Sequence, residues 1–376
     1  MFLTASIKNK PDELLRGARV YLKIDTKYDN DQGAWFDQGP QSSLKGFRPA
    51  STASSDISGI VPKWMDECIK SHKRCNSSHK GFRPTRIIDV GAPNEQMVRV
   101  GPTAHLPAKL PFKYAALSYC WGSNSCIGLT SANTASLNSG IAVHKLPKTI
   151  QHVIHVTRSL GLRWLWVDSL CILQNSNEEK THQITSNEFD SMFEVYKNCF
   201  LCIAALGSSD NEGGGESVVA LPHWTTNLNG GFAKDAVDPD WALHRRGWVL
   251  QERLLPPRTL LFGSYLEWEC HEMVRDEFGP IPVISRFLGP LEPSPDEVYD
   301  HWRQILRCYT RSSLTLKSDR EFAIAGVISA VERRMSWRNI AGLWEPYLVH
   351  ELLWERLPES DSVETGISPS WPWISI

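Results

Sequence analysis

The middle of the chain alternates short apolar runs with segments of helical periodicity, and this alternation constrains the fold more than any other feature. The apolar runs are too short for helices and are typical of buried strands. Alternation of strand and helix predicts an α/β fold, with a mostly parallel sheet flanked by helices. The predicted strands are 113–119, 163–168 and 199–206. The predicted helices are 147–160, about 179–197, and a segment that contains 248–254.

The composition changes on both sides of this block. Residues 29–59 are rich in Gly, Ser, Asp and Gln, which is typical of a flexible region. Helical spacing over 61–75 and a short strand at 87–90 follow. After Cys270, a Pro-rich linker precedes two more helical patterns, at 298–310 and 320–334. We therefore predict a flexible N-terminal region (1–60), a helix and strand extension (61–112), a central domain (113–270) and a smaller helical C-terminal portion (271–376).

Charge and cysteine usage exclude several classes of protein. The 40 Lys and Arg residues nearly balance the 42 Asp and Glu residues, giving a formal net charge of -2. No global field would draw such a chain to nucleic acid or to an anionic membrane, so we expect neither partner. No run approaches the roughly 18 apolar residues of a membrane span, and no secretory signal is evident. Nine scattered cysteines are typical of reduced thiols, so we expect a cytoplasmic protein.

Common catalytic motifs are missing from the sequence. It contains no Gly-x-Ser-x-Gly elbow, no P-loop, and no Gly-x-Gly-x-x-Gly after a strand. The usual signatures of serine hydrolases, nucleotide triphosphatases and Rossmann dehydrogenases are therefore absent. Cys171 follows Asp168 closely, but its neighbours Leu170, Ile172 and Leu173 are apolar, which favours a buried, inert thiol.

Two thiols and two imidazoles fall within twelve residues, at Cys68, His72, Cys75 and His79. These are the ligand types of zinc, and a break after Cys75 could bring His79 round to the others. A single straight helix would instead place them along one stripe, which cannot surround a tetrahedral ion. We therefore favour an amphipathic helix that docks through Trp64, Cys68 and Cys75, and we predict no metal site.

Four ordered motifs resemble those of the fungal heterokaryon-incompatibility (HET) domain. They are YAALSYCWG at 114–122, LGLRWLWVDSLCILQ at 160–174, the VYKNCFLCIAALG run that follows, and RGWVLQERLL from Arg246. Flanking segments, including WMDECIKSHKRC and SPSWPWIS, resemble the flanks of the same family, so the similarity covers about 61–376.

The resemblance implies a role in fungal self and non-self recognition. HET domains trigger programmed cell death when incompatible hyphae fuse. It also implies an incompatibility partner protein, which the sequence does not identify, and self-association into a homo-oligomer.

HET domains are in turn similar to TIR domains, which have a flavodoxin-like sheet. NAD-cleaving TIR domains carry a glutamate four residues after a tryptophan on a late helix, and Glu252 follows Trp248 at that spacing. The resemblance thus implies that Glu252 is catalytic in a NAD glycohydrolase. NAD is then the substrate, and no cofactor is expected. A carboxylate there can stabilise the oxocarbenium-like state formed as the nicotinamide-ribose bond breaks.

Other candidate residues follow from the strand ends. Open α/β sheets bind ligands at the carboxyl ends of their strands, where Ser118 and Asp168 are placed. A basic residue near Glu252 could bind a dinucleotide phosphate. The residues that we predict to bind substrate are Ser118, Tyr119, Trp121, Asp168, Ser169, Arg246 and Trp248.

Structural roles compete with these assignments. Glu252 could pair with Arg245 or Arg246 and hold its helix to the sheet, and Asp168 could cap the helix that follows it. Two other functions therefore remain open: a non-enzymatic, self-associating signalling module, and an accessory enzyme of fungal specialised metabolism.

Overall fold

The computed structural model describes a large part of the chain, including all of the predicted strands. The described residues are 3–5, 22–24, 55–76, 81–107, 112–121, 127–174, 191–206, 243, 246–262, 266–276, 279–281, 294–314 and 319–353. None of the helices among them is both long and apolar enough to cross a membrane.

The described strands form one large sheet and two small hairpin sheets. The strands are β1 (Leu3–Ala5), β2 (Leu22–Ile24), β3 (Arg86–Asp89), β4 (Met97–Pro102), β5 (Tyr114–Ser118), β6 (Ile141–Ala142), β7 (Trp164–Trp166), β8 (Leu201–Ala205), β9 (Arg258–Phe262), β10 (Leu266–Cys270), β11 (Val274–Asp276), β12 (Gly279–Ile281), β13 (Asn339–Ile340) and β14 (Leu343–Trp344).

Helices connect and cover these strands. The α-helices are α1 (Ser55–Ser71), α2 (Thr134–Ser139), α3 (Lys148–Ser159), α4 (Asp168–Cys171), α5 (Met192–Asn198), α6 (Val249–Leu254), α7 (Pro295–Thr310), α8 (Arg320–Met335) and α9 (Leu348–Glu351). Short 3-10 turns lie at Arg74–Asn76, Thr103–His105, Val143–Lys145 and Glu345–Tyr347.

The large sheet has ten strands in the order β12-β11-β10-β9-β8-β5-β7-β3-β4-β6. Its centre is parallel: β7 pairs with β5, β5 with β8, and β8 with β9. All pairs on either side of this centre are antiparallel. The predicted α/β fold is confirmed, and the parallel pairing is confirmed for the four central strands.

The four parallel strands follow the order of a doubly wound sheet. Numbered along the chain, they lie in space as 2-1-3-4, which matches the first four strands of the flavodoxin-like order. The chain therefore reverses its direction of travel across the sheet between β5 and β8. Such a reversal opens a crevice at the carboxyl ends of the strands, where open α/β sheets bind their ligands.

Residue burial explains why the centre is parallel. Every residue of β5, β8 and β9 is buried, so each strand needs an apolar surface on both faces. In β10, the sequence LEWEC alternates between buried and half-buried residues, as in a strand with one wetter face.

The register of the strands shows which helices cover each face. Cys202 of β8, Thr259 of β9 and Glu269 of β10 are aligned, and Glu269 pairs with Arg253 of α6. Trp268, one position along, is on the opposite face and contacts Trp64 of α1, with ring centroids 6.5 Å apart. Helices α1 and α6 therefore cover opposite faces, and the docking of α1 through Trp64, Cys68 and Cys75 is confirmed by their burial.

The sequence prediction missed six of the ten strands of the large sheet. Strands β9 to β12 were not anticipated, and neither were β4 and β6. Helix α1 begins at Ser55, so residues 55–60 are helical although the flexible region was predicted to extend to 60. The ten-stranded sheet also crosses both predicted boundaries of the central domain, at 112/113 and 270/271. The division into domains stays a prediction.

The helical C-terminal portion has a core of its own around α7 and α8. Ser294 and Glu297 form a capping box at the start of α7, and Pro295 occupies its first turn. Within the core, Trp302 meets Trp344 edge to face at 5.1 Å. This core contacts the sheet domain where α8 packs against α6.

Gly326 allows α6 and α8 to approach closely, and its replacement by alanine should destabilise the protein. An added Cβ would lie 2.6 Å from the Gln251 Oε1 atom and 3.0 Å from Leu255 Cδ1, and would also collide with Phe193. We expect Gly326→Ala to lower the free energy of unfolding by about 1–3 kcal/mol, measured by urea denaturation.

Gly59→Ala is the matched control, because Gly59 is also helical but has nothing within 4 Å of the added atom. There alanine should stabilise the protein by up to about 1 kcal/mol, through its higher helix propensity. An equal response of the two variants would contradict a tight contact at Gly326.

Candidate functional site

A buried carboxyl group lies next to the carboxyl end of β5. Ser118 is the last residue of β5, and Glu252 lies on α6, the helix between β8 and β9. The Ser118 hydroxyl donates a hydrogen bond to Glu252 Oε2. Both side chains are only 2% exposed. The register explains the meeting, because Ser118 is aligned with Ala204 on the face that α6 covers.

A second set of contacts joins the segments that follow β5 and β7. The Tyr119 hydroxyl donates to Ser169 Oγ at 2.8 Å. The Arg246 guanidinium donates to the backbone oxygen of Tyr119. Arg246 lies three residues before the first residue of α6, so it connects the region of Glu252 to the tip of β5. Tyr119 and Ser169 are buried, whereas Arg246 is partly exposed.

Asp168 lies two residues after β7 and accepts two hydrogen bonds. Trp121 Nε1 donates to its Oδ2 atom at 2.8 Å, and the backbone N–H of Ser169 donates to its Oδ1 atom at 2.7 Å. The second bond joins neighbouring residues in the first turn of α4, and the N-cap position of this helix is occupied by Val167. Trp121 itself is 40% exposed and covers Asp168 from the solvent side.

The Trp248 side chain makes a different connection. It directly precedes α6, and its backbone oxygen accepts a bond from the N–H of Glu252. Its indole N–H donates to Asp319 Oδ2 at 3.2 Å, and its ring packs against both the sheet core and the C-terminal core. The structure therefore joins six of the seven predicted binding residues to the region of Glu252, and it places the Trp248 indole against the C-terminal portion.

Comparisons with known proteins identify this part of the chain. Residues 114–252 match the family described as "Heterokaryon incompatibility protein (HET)". This segment is therefore similar to HET domains. The match begins at the first residue of β5 and ends at Glu252, so the predicted site lies within it. The resemblance predicted from the four motifs is confirmed, whereas the similarity to TIR domains stays a prediction.

One curated relative is "Heterokaryon incompatibility protein 6, OR allele" of Neurospora crassa. It is 33% identical to this chain over 110 residues, which cover 27% of this chain and 15% of that protein. The chain thus matches a small part of its relative's length. No solved structure matches the chain.

Burial gives Glu252, the last residue of the matched segment, an unusual pKa. Removal from water raises the pKa of this carboxyl group to about 7, and the nearby charge of Asp168 acts in the same direction. The Arg246 charge and the Ser118 hydrogen bond oppose the rise. Near neutral pH, Glu252 is therefore divided between its protonated and ionised forms.

The charges at this site influence one another. Burial raises the pKa of Asp168, although Arg246 and the bonds from Trp121 and Ser169 oppose the rise. Burial works against the charged form of Arg246, but the two carboxyl groups outweigh it and raise the pKa of the guanidinium. One cation thus stabilises two carboxylates in a poorly hydrated place.

Two further residues adjoin the site without having been predicted. The Tyr196 hydroxyl of α5 donates to the backbone oxygen of Leu117 at 2.9 Å. Burial raises the pKa of Tyr196, and the charges of Glu252 and Asp168 add to the effect. The Cys202 thiol of β8 contacts the backbone oxygen of Glu252 at 3.5 Å. Cys202 lies inside an apolar run, and Tyr196 follows Val195 in an ordinary helical segment, so nothing local in the sequence distinguishes them from core residues.

Other candidates from the sequence lie elsewhere. Cys171 is buried at 2% exposure, which fits the inert thiol that we favoured. Arg245 and His79 lie outside the described residues.

The raised pKa of Glu252 should make stability depend on pH. The folded-state pKa of about 7 exceeds the ordinary value of 4.5, so the folded protein holds this proton more tightly than the unfolded chain does. The tighter proton binding stabilises the folded protein. This contribution to the free energy of unfolding is fully present below pH 4.5 and is lost as pH rises through 7. Relative to the parent, Glu252→Gln should gain up to about 3 kcal/mol of unfolding free energy between pH 5 and pH 8. Urea titrations at several pH values measure this, and a difference that does not change with pH would contradict the shift.

Proposed function

We propose that this chain acts in fungal heterokaryon incompatibility, and that its HET domain cleaves NAD at the nicotinamide-ribose bond. The first part is supported by the match of residues 114–252 to the HET family and by the Neurospora crassa relative named for incompatibility. The second part rests on one observation: a carboxyl group with a pKa of about 7 at the carboxyl ends of parallel strands.

The residues around Glu252 have properties that suit a dinucleotide. Arg246 supplies a cation for a phosphate group, close to the backbone of Tyr119. Trp121 supplies an aromatic ring that is 40% exposed and on which a base can stack. The Ser118 hydroxyl holds the Glu252 carboxyl group in one orientation. Polar groups that converge from three chain segments are a common feature of ligand sites.

The reaction needs one carboxylate and one water molecule. The bond between the ribose C1′ atom and the nicotinamide nitrogen breaks, and neutral nicotinamide leaves with the electron pair. Ionised Glu252 stabilises the positive charge that develops on the ribose. Water then adds to C1′ and releases a proton, which gives ADP-ribose. No oxidant or metal ion is required for this balance.

The burial of Glu252 favours a second candidate, a non-enzymatic signalling module. A carboxyl group that is 2% exposed, bonded to Ser118 and close to a cation, is also well placed for a purely structural role, in which it holds α6 on the sheet. In that case the HET domain would act through association with an incompatibility partner or with further copies of itself. Both candidates place the protein in the cytoplasm and differ only in the role of this side chain.

Turnover of NAD by the purified full-length chain separates the two candidates. We expect the parent to release nicotinamide and ADP-ribose, either alone or when clustered by a bivalent antibody, and Glu252→Gln to lose at least about 100-fold of this rate. The matched control is Glu267→Gln. Glu267 lies on β10, and burial raises its pKa to about 7 as well, but it has no bond to Ser118.

The outcomes distinguish the two candidate functions, provided that circular dichroism shows each variant to be folded. Loss of turnover in Glu252→Gln alone supports catalysis. Absence of turnover in the clustered parent, with cell killing intact in Glu252→Gln, supports the non-enzymatic module. Equal turnover by the parent and the variant would exclude Glu252 as the catalytic group.

The rate of NAD cleavage should also increase with pH, because the ionised form of Glu252 is the active one. Because the carboxylate stabilises the cationic state, kcat/KM should rise about tenfold per pH unit below 7 and level off above it. Glu267→Gln should keep this profile. A rate that falls as pH rises through 7 would instead indicate that Glu252 acts as a protonated acid.

A further inference from the structure

Four metal-ligating side chains meet on the face of the sheet opposite to Glu252. They are Cys68 of α1, His72 just after it, Cys75 of the following 3-10 turn, and Cys270 at the end of β10. Their ligand atoms all lie within 4.8 Å of one another. All four lie outside the segment that matches the HET family. We propose that these residues bind one structural zinc ion.

The donor set suits zinc. Three thiols and one imidazole form one of the common four-ligand sets of structural zinc sites. Zinc–sulfur distances of about 2.3 Å place the corners of a tetrahedron about 3.8 Å apart. The observed grouping within 4.8 Å therefore needs only a small contraction around an ion. The soft thiolates disfavour calcium and magnesium, which prefer oxygen ligands.

The local fold explains how a helix can contribute three ligands. Cys68 and His72 are one helical turn apart, and α1 ends between them at Ser71. The chain then tightens into the 3-10 turn, which brings Cys75 back toward the same place. Asn76 holds this break, because its side-chain amide donates to the backbone oxygens of Ile69 and His72 at 2.8 Å. The sequence prediction of no metal site considered His79 as the fourth ligand and did not consider Cys270.

The fourth ligand, Cys270, is distant in sequence from the other three. His72 Nδ1 lies 3.2 Å from Cys270 Sγ, although 198 positions separate the two residues. The backbone N–H of Arg74 also donates to Glu272 Oε1 at 2.7 Å, just beyond β10. The turn after α1 is thus attached to the last residue of β10 and to the segment that follows this strand.

Burial and charge around the cluster also favour an ion. Cys68, Cys75 and Cys270 are at most 1% exposed. A zinc ion with three thiolates and one neutral imidazole carries one net negative charge. Arg258 of β9 is aligned with Cys270 across the strand pair and is 1% exposed, so its cation is placed to offset that charge. Its guanidinium also donates to the Asn76 side chain that holds the turn.

A disulfide explains the arrangement less well. One disulfide would use two of the three thiols and would give the imidazole no role. None of the three cluster cysteines forms a disulfide in the structure. Zinc uses all four groups, and it would join α1 to the end of β10, in the manner of structural zinc sites that hold distant chain segments together.

Metal analysis of the full-length chain tests the proposal, with an affinity tag that lacks histidine. After growth with added zinc, we expect mass spectrometry to find about one zinc per chain. Cys270→Ser should lower this to less than a tenth. Cys308→Ser, a thiol on α7 outside the cluster, is the matched control and should keep its zinc.

A measurement on the parent avoids any failure of the variants to fold. An organomercurial that reacts with thiols should release the zinc to a chromogenic chelator, and release should be complete once about three thiols have reacted. Replacement of zinc by cobalt should give thiolate-to-cobalt absorption in the near ultraviolet. A parent without bound zinc and without cobalt absorption would overturn the proposal. So would a Cys270→Ser variant that keeps its zinc, or a disulfide between two cluster cysteines.

Discussion

Burial of three central strands on both faces is the constraint from which the rest of the structure follows. Because β5, β8 and β9 have no exposed residue, a polar side chain along them needs a partner within the protein, as Arg258 has in Asn76. Chemistry is therefore confined to the strand ends and to the helices that pass over them. Ser118, whose hydroxyl bonds to Glu252, occupies the last position of β5.

The same constraint decided how much of the fold the sequence predicts. Strands 113–119, 163–168 and 199–206 were predicted within two residues, because burial on both faces leaves a continuous apolar run. Strand β9 begins with Arg258, whose burial depends on distant contacts such as that with Asn76. In β10, charged residues alternate with apolar ones, so the run is interrupted. Neither strand has a local signal as clear as that of β5, β7 and β8.

The candidate site was predicted from a family resemblance, which gave Glu252 and Trp248, and from a general rule about sheets, but not from its own contacts. Parallel strands present their carboxyl ends at one edge of a sheet, and this placed Ser118 and Asp168 near each other. The contribution of Tyr196 could not be foreseen, because it depends on how α5 packs. The same holds for Cys270, which joins the α1 cysteines only after the whole sheet has formed. Contacts between distant segments carry no periodicity that a sequence can show.

The end of the family match at Glu252 has a practical consequence. A fragment limited to 114–252 would contain β5, β7 and β8 but would lack β9, which pairs with β8 along its length. Strand β8 would then become an open edge whose residues are all apolar, and such edges recruit other chains and aggregate. The autonomous folding unit must therefore extend past the end of the HET match, at least through the strand that completes the parallel centre.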